Sequence, residues 1–525
     1  MNNILVDGAW RPARNPAGSF QAVNPADGTD LPGVFPVSSF SDVEDALGAA
    51  HRAVPELAKM PPETIADFLD GCAAGIEDRA EELIAIARLE TGLPEEPRLR
   101  SVELPRTAYQ LRQAAAAVRD RSWCRATIDT KAGIRSKYGP LGGPVAVFGP
   151  NNFPFAYNAA AGTDFASAVA AGNPVIAKAH PCHPETTRIF AEIANRVSTK
   201  FGLPPATFQL IYHLEPESGY KLVGHPLLGA ATFTGSRPAG LRLKAAADRA
   251  GKPIYIETSS VNPVFILPGA LVERGSKIAG ELFDSCTLGA GQFCTKPGLI
   301  IIVDDANGRA FFESILKSFE ASAAAVLVAR SVLDGIRTGL ETMTRAGAEI
   351  AAGGRPIGGP GFRHQNTLLR IPGDVFLENP KDLQQEAFGP VSLCVFARDE
   401  RQMENIAAAL EGNLTGSIYS HSRGLDDEIC EKIAAVLRFK VGRLLNDKVP
   451  TGVTVTAAMV HGGPFPAAGH PGFTAVGFPA AIVRFAALHG YDRVRPDRLP
   501  PELRDKNPTG AMWRLIDGEW TQRDV

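Results

Sequence analysis

Cysteine is scarce and widely scattered in this chain of 525 residues. Its seven cysteines show no CxxC or CxxxH spacing, so the sequence predicts neither a zinc site nor a disulfide framework. No paired histidine spacing supports a metal site either. The sequence also lacks a basic start followed by an apolar segment, and lacks any uninterrupted apolar run of about 18 residues. We therefore expect a cytoplasmic protein with reduced thiols and no membrane segment.

Net charge is nearly absent as well. The 54 basic residues are balanced by 57 acidic ones, for a formal charge of −3. This balance excludes a generalised electrostatic attraction to nucleic acid or to an anionic membrane surface. Small-molecule ligands are the expected partners. A chain of this length exceeds one ordinary core, so we expect two large domains plus appendages.

Short apolar runs alternate with helical patterns in the middle of the chain. Five runs are predicted as strands, namely Pro144–Phe148, Val175–Lys178, Phe208–Tyr212, Ala230–Phe233 and Ile254–Glu257. The segments between them include three of helix-forming composition, Tyr157–Ala171, Glu185–Phe201 and Ala239–Ala250. This alternation predicts an α/β fold with a five-stranded parallel sheet, whose ligands bind at the carboxyl ends of the strands.

The flanking regions extend this pattern. A helical region covers about Ser41 to Arg119, with helix stops at Gly92 and Pro94. After Asn262-Pro263, a second alternation predicts another α/β domain, with strands at Leu299–Val303, Ser392–Phe396, Gly416–Tyr419 and Arg443–Leu445. The similar segments Leu5–Trp10 and Ile516–Trp520 are interpreted as two unrelated hairpins that turn at Asp-Gly.

Three residues suggest covalent chemistry. Cys294 supplies a nucleophile, Glu257 at a strand end supplies a base, and Asn152 in a turn supplies an amide donor. A thiol with a separate carboxylate suits attack on a carbonyl carbon followed by hydrolysis of a thioester. Read singly, each has an ordinary interpretation: a buried cysteine, an exposed strand-end glutamate and a turn asparagine.

The segments around these residues resemble the aldehyde dehydrogenase family, from about residue 5 to the C-terminus. The resemblance is carried by Asn152-Phe153-Pro154, by Ala290–Thr295 around the cysteine, and by Gln385–Pro390. It implies a Rossmann-like cofactor domain at 1–122 and 143–261 and a catalytic domain at 262–469. Oligomerisation segments are implied at 123–142 and 470–525, where Trp123–Tyr138 resembles the hairpin that pairs subunits in a homodimer or homotetramer.

The resemblance also implies roles for the three residues. Cys294 attacks the aldehyde, and Glu257 activates the water that releases the acid. Asn152, rather than the neighbouring Asn151, donates with the Cys294 N–H to the oxyanion.

Cofactor contacts are implied on both sides of the cysteine. Thr234, Gly235, Ser236 and Gly240 form a glycine-containing turn between a strand and a helix, where backbone amides can approach a pyrophosphate. Further along, Glu386 is implied to hold the nicotinamide ribose, and Phe388 to pack near its ring.

The cofactor is expected to be NADP rather than NAD. Lys178 ends the second strand near the expected adenosine ribose, and Pro181 stands where NAD-preferring relatives commonly have a glutamate. Without that carboxylate, Lys178 and His180 are free to bind a 2′-phosphate.

The substrate is expected to be 2-oxoglutarate semialdehyde. Ser259–Pro263 and His461–Pro466 resemble the 2,5-dioxovalerate branch of the family, while Ala467–Gly477 departs from it. His470 and Phe473 in that departing segment are expected at the substrate mouth, which leaves a medium-chain or aromatic aldehyde as the alternative. Arg106 and Arg484 are candidate carboxylate anchors. His461, beside glycine and proline, is interpreted as a loop residue.

Three other functions remain in contention. A CoA-acylating relative would generally lack the glutamate at position 257. A cofactor-independent cysteine hydrolase would need a histidine partner and no cofactor sheet. A non-catalytic protein on the same fold would leave Cys294 unreactive.

Overall fold

The computed structural model describes all 525 residues as a mixed α/β protein. Its strands are β1 (Ile4–Val6), β2 (Ala9–Arg11), β3 (Gly18–Val23), β4 (Asp30–Val37), β5 (Thr127–Asp129), β6 (Ile134–Pro140), β7 (Val145–Phe148), β8 (Val175–Lys178), β9 (Phe208–Ile211), β10 (Ala230–Thr234), β11 (Ile254–Glu257), β12 (Pro263–Ile266), β13 (Leu299–Val303), β14 (Glu349–Ala352), β15 (Thr367–Pro372), β16 (Val391–Ala397), β17 (Asn413–Tyr419), β18 (Val441–Asn446), β19 (Ala486–Asp492), β20 (Arg514–Ile516) and β21 (Glu519–Thr521). Its α-helices are α1 (Phe40–Leu57), α2 (Pro62–Asp78), α3 (Ala80–Thr91), α4 (Leu104–Asp120), α5 (Thr163–Ala170), α6 (Pro184–Lys200), α7 (Pro216–Val223), α8 (Arg237–Arg249), α9 (Pro268–Thr287), α10 (Ala306–Ala321), α11 (Arg330–Arg345), α12 (Gly373–Glu378), α13 (Pro380–Leu383), α14 (Glu400–Ala409) and α15 (Asp427–Leu437).

The first sheet contains the predicted parallel strands in the order β11-β10-β7-β8-β9, which confirms that prediction. The sheet has seven strands rather than five, because the N-terminal hairpin of β1 and β2 adds antiparallel to β9. The central strands are buried on both faces, as expected for a parallel sheet covered by helices. Glu257 ends β11, which lies at the open edge of this sheet.

The predicted helical region is also confirmed, as helices α1 to α4. Helix α1 begins with a capping box between Ser39 and Asp42. Helix α3 ends where Gly92 takes a left-handed conformation with φ of 65°, which terminates the helix without steric penalty.

The predicted helix at Tyr157–Ala171 is only partly correct, because α5 begins at Thr163. Before it, the Asn158 side chain donates to the Pro154 carbonyl and accepts from the Ala160 N–H, which holds the chain in turns. A Cβ at Gly162 would lie 2.6 Å from the Tyr157 backbone. Local side-chain bonding and this close approach override the helical composition.

The second sheet has the order β14-β15-β16-β13-β12-β17-β18 and is parallel except for β14. The four predicted strands are present as β13, β16, β17 and β18. Strands β12, β14 and β15 were not predicted; β12 starts at Pro263, which reads as a turn residue in sequence.

The third sheet joins distant parts of the chain in the order β19-β6-β5-β20-β21. The predicted hairpin is present, since β5 and β6 pair antiparallel. The two Asp-Gly segments are hairpins in different sheets, one between β1 and β2 and the other between β20 and β21. Asp7 and Asp517 both take positive φ, at 53° and 48°, as tight hairpin turns require.

The main hydrophobic core is one cluster of 104 buried residues that includes strands from both large sheets. We propose that the domain limits follow the sequence-based division given above. Among the helices, none combines the length and the apolar character that crossing a bilayer requires.

Candidate active site

The nucleophile segment is a sharp irregular turn after α9. Gly289, Ala290 and Gly291 all have positive φ, between 56° and 65°. Glycine is required at 291, because a Cβ there would lie 2.3 Å from the carbonyl oxygen of Gly389. The turn therefore packs directly on the Phe388-Gly389-Pro390 segment and brings Cys294 to a half-buried position.

Asn262 fixes the segment from the other side. Its side-chain amide donates to the carbonyls of Cys294 and Lys296, each at 2.9 Å. Its own position is held by Asn413, whose side-chain oxygen accepts from the N–H groups of Val261 and Asn262 at 2.9 and 3.1 Å. The Ser259–Pro263 motif thus acts as a support for the nucleophile.

Cys294, His461 and Glu257 form one contact group. The Cys294 Sγ lies 3.5 Å from His461 Nε2, and the same nitrogen lies 3.1 Å from Glu257 Oε1. All three functional atoms lie within 4.8 Å of one another. Sequence reasoning brought the thiol and the carboxylate together but missed the histidine between them.

His461 is in an irregular segment, as expected, but its side chain is buried at 2% exposure. Burial lowers its pKa, yet Glu257, Tyr157 and Cys294 outweigh that effect and raise the pKa well above the usual histidine value. The imidazole is therefore poised to carry a positive charge beside the thiol. A thiol, an imidazole and a carboxylate can also bind zinc. Hydrogen bonding already accounts for the short distances among these three side chains, and we assign no metal role to the group.

Asn152 reaches the same centre from the turn after β7. Its side-chain amide donates to the Gln292 carbonyl at 2.9 Å, which uses one of its two N–H groups and orients the other. The backbone N–H of Cys294 makes no hydrogen bond within the chain. Asn152 and Cys294 thus each keep an N–H donor that the chain itself leaves unused.

Arg98 supports the Asn152 turn. Its guanidinium donates to the Asn152 carbonyl at 2.8 Å and pairs with Glu103 at 2.6 Å. It also lies over the rings of Phe153 and Phe293, 4.2 and 5.1 Å from their centres. The buried Arg98 therefore connects the turn that contains Asn152 to the nucleophile segment.

The predicted cofactor turn lies at the carboxyl end of β10. Gly235 and Ser236 are exposed, and Ser236 precedes α8 without a side-chain cap, so N–H groups at this helix start remain available to a pyrophosphate. The Gly235 N–H is not among them, since it donates to the Glu257 backbone carbonyl at 3.1 Å. Gly240 is buried, and a Cβ there would lie 2.8 Å from the Thr258 side chain. Its smallness lets α8 pack closely against Thr258.

Lys178 and His180 follow β8, with Pro181 next along the chain. Burial lowers the pKa of Lys178 to about 8. No carboxylate pairs with Lys178, and the His180 ring stacks on His183 at 5.4 Å. The nearby Glu90 caps α6 through the Glu185 and Thr186 N–H groups, and burial raises its pKa to about 8. At neutral pH this region therefore carries little negative charge.

Glu386 and Phe388 are both half-buried beside the nucleophile segment. Burial raises the pKa of Glu386 to about 8, against the opposing effect of the buried Lys296. The Lys296 ammonium donates to the Val391 carbonyl. The structure thus gives Glu386 a cationic neighbour that the sequence did not reveal.

A cavity of about 550 Å³ opens over Cys294. Its apolar walls are provided by Val102, Tyr109, Phe153, Tyr157, Phe293, Val453 and Val455, and Arg106 also lines it.

Arg484 does not line this cavity, since it is buried and pairs with Asp164. His470 and Phe473 lie instead around Tyr255, in a small separate cavity behind Glu257, so the expectation that they shape the substrate mouth was wrong.

The thiol, carboxylate and amide beside a glycine turn on a parallel sheet define an NAD(P)-dependent oxidoreductase of the aldehyde dehydrogenase class. Residues 10–453 match the aldehyde dehydrogenase family model, and the chain belongs to that family. It is 37% identical over 515 residues to alpha-ketoglutaric semialdehyde dehydrogenase 2 of Azospirillum brasilense, covering 96% of each chain. It is 34% identical to alpha-ketoglutaric semialdehyde dehydrogenase of Acinetobacter baylyi, again over 96% of each.

Solved structures confirm the fold. Aldehyde dehydrogenase C of Pseudomonas syringae, solved as a cysteine-to-alanine mutant with NAD⁺ and octanal, superposes with a TM-score of 0.81 at 20% identity, over 95% of this chain and 98% of that one. Lactaldehyde dehydrogenase of Escherichia coli gives 0.80 at 23% identity, over 93% and 98%. The family match ends at residue 453, ahead of His461.

Proposed function

We propose that the protein oxidises an aldehyde to a carboxylate through a thioester on Cys294. The observation that carries this proposal is the approach of Cys294, His461 and Glu257 within 4.8 Å. The thiolate adds to the aldehyde carbon, and the oxygen that becomes negative accepts from Asn152 and from the Cys294 N–H. A nicotinamide cofactor, when bound, would supply the acceptor for the hydride that leaves this carbon. Glu257 then takes a proton from water, which attacks the thioester and frees the acid and the thiol.

His461 has a part in both stages of this scheme. Its imidazole lies 3.5 Å from the Cys294 sulfur and stabilises the negative charge of the attacking group. Its hydrogen bond with Glu257 holds the carboxylate next to the carbon that water must reach. The same histidine meets one requirement of a cysteine hydrolase, but the cofactor turn at Gly235 favours the dehydrogenase.

We propose 2-oxoglutarate semialdehyde as the substrate. Support comes from the two relatives named for that activity, which match 96% of the chain, and from Arg106 in the wall of the Cys294 cavity. The aromatic and aliphatic walls of the same cavity favour the second candidate, a medium-chain or aromatic aldehyde.

A comparison of four aldehydes tests the substrate. We expect kcat/KM to be highest for 2-oxoglutarate semialdehyde, followed by succinic semialdehyde, with hexanal and benzaldehyde at least tenfold lower. The reason is that a carboxylate gains charge-assisted hydrogen bonds that a neutral aldehyde lacks. Formation of reduced cofactor measures each rate. A tenfold advantage for the uncharged aldehydes would overturn the semialdehyde assignment and leave the dehydrogenase assignment in place.

We propose NADP as the preferred cofactor, with NAD as the alternative. Lys178 has no carboxylate partner, His180 stacks on His183 beside it, and burial raises the pKa of the nearby Glu90 to about 8. Electrostatic repulsion against a 2′-phosphate is therefore small, while Lys178 is largely protonated below a pH of about 8.

Replacing Pro181 by glutamate should shift preference from NADP toward NAD by at least tenfold. The new carboxylate would face the 2′-phosphate, and a like-charge contact of this kind costs several kcal/mol. The ratio of kcat/KM for the two cofactors is the measurement. Pro181→Gln is the matched control, since it changes the shape without the charge and should move the ratio much less. An equal shift in both variants would show that backbone geometry, not charge, sets the preference.

We also propose that the protein works in the cytoplasm as a homodimer or homotetramer. All seven cysteines are free, as suits a reducing compartment. The third sheet, which contains the hairpin of β5 and β6, is the surface that we assign to subunit pairing.

A further inference from the structure

The cavity over Cys294 contains cations that have no carboxylate partner. Arg98, Arg106 and Lys448 all line it. Arg98 is neutralised by Glu103 at 2.6 Å. Arg106 instead bonds only to uncharged groups, the Gln110 side-chain oxygen at 3.1 Å and the Tyr157 hydroxyl at 3.2 Å. Lys448 makes no ion pair and is exposed.

Arg443 is a third cation without a carboxylate partner, and it lies next to the cavity wall formed by Gly452. Arg443 is half-buried, and its guanidinium reaches only the carbonyls of Pro450 and Gly452, at 3.3 and 3.5 Å. Its Nε is buried without a partner. Burial lowers the pKa of Arg443, while Cys294 and Tyr157 act in the opposite direction. Two cations that line the cavity and one beside it therefore lack a carboxylate partner.

We propose that Arg106 binds a carboxylate at the far end of the aldehyde substrate, with Lys448 adding attraction at the same cavity. This inference rests on the proposed function and deepens it by naming the anchor. A guanidinium presents paired N–H groups that match the two oxygens of a carboxylate. Because Arg106 is half-buried beside apolar side chains, such a pair is stronger than one at a fully open surface.

The position of Arg106 limits the length of the substrate. Tyr157 contacts both Arg106 and the catalytic group: its hydroxyl accepts from the Arg106 guanidinium at 3.2 Å, and its ring centre lies 5.8 Å from that of His461. A five-carbon aldehyde acid spans about 5 Å between its terminal carbons, given C–C bonds of about 1.5 Å. The anchor thus fits a short chain with the carboxylate at the end opposite the aldehyde.

Arg106→Gln tests the anchor with two matched substrates, 5-oxopentanoate and pentanal, at saturating NADP. They share chain length and differ in the carboxylate. We expect the ratio of their kcat/KM values to fall at least tenfold, mainly through KM for 5-oxopentanoate. Arg106→Lys should fall between, because it keeps the charge and loses the paired geometry. Arg112→Gln is the control: it lies on the same helix but pairs with Glu77 at the surface, and should leave the ratio unchanged.

Inhibition by glutarate provides a second readout, since it needs no turnover of the carboxylate substrate. Its inhibition constant against pentanal should rise about tenfold in Arg106→Gln. If that variant does not fold, Lys448→Gln takes its place and should lower the substrate ratio about threefold. A wild-type enzyme that prefers 5-oxopentanoate, with an unchanged ratio in these variants, would overturn the anchor alone. A wild-type enzyme that prefers pentanal would instead overturn the proposed substrate class.

Discussion

Glu257→Gln should release one equivalent of reduced cofactor per active site and then stall. The amide keeps the size of the side chain and can still contact His461, so attack by Cys294 and hydride loss proceed. It cannot accept a proton from water, and loss of a general base typically costs about 10²–10⁴-fold in rate. The enzyme should therefore accumulate as a thioester on Cys294.

Rapid-mixing absorbance measures the burst, and mass spectrometry of the quenched protein measures the acyl adduct. Cys294→Ala is the control and should give neither burst nor adduct while it still binds the cofactor. Unbroken turnover by Glu257→Gln would place the base elsewhere, with His461 the next candidate.

His461→Asn should lower kcat/KM about a hundredfold, the lower range for a lost acid–base group. The pKa of His461 is raised well above its usual value, which favours a charged imidazole 3.5 Å from the Cys294 sulfur. Without the imidazole, Cys294 should react more slowly with iodoacetamide at neutral pH than it does in the wild type.

His183→Asn offers a comparison, because His183 is equally buried but contacts the Pro150 carbonyl rather than the catalytic group. An identical alkylation profile in wild type and His461→Asn would remove the histidine from thiol activation.

Much of the fold could be predicted because its signals are local. The central strands are short apolar runs between helical segments, and their alternation alone indicates a parallel sheet. Where prediction of the fold was wrong, a specific local feature overrode the helical composition or the turn rule. The helix expected from Tyr157 starts only at Thr163, since Asn158 bonds to its own neighbours. Strand β12 starts at a proline, which the sequence rules assign to a turn.

The candidate site could be predicted only in part, because contacts between distant segments assemble it. Cys294, Glu257 and Asn152 lie in segments with a recognisable family pattern, and the structure brings them close to one another. His461 lies in a loop with no periodic pattern, beyond the residues that match the family model. Its contact with Glu257 closes a separation of 204 residues, which no local rule detects. Likewise, the unpaired state of Arg106 depends on which side chains surround it in space.

The wide sequence separation within the catalytic group has a consequence for the order of folding. The thiol comes from the turn before the second sheet's β13, the carboxylate from the edge of the first sheet, and the imidazole from a loop that follows both. Contacts that close long chain segments have a high entropic cost and form late, and large chains fold domain by domain. A refolding chain would therefore regain its helices and the packing of each sheet before it regains a reactive thiol. Enzymatic activity thus reports the final docking of the two sheets, a step that measurements of helix content alone would miss.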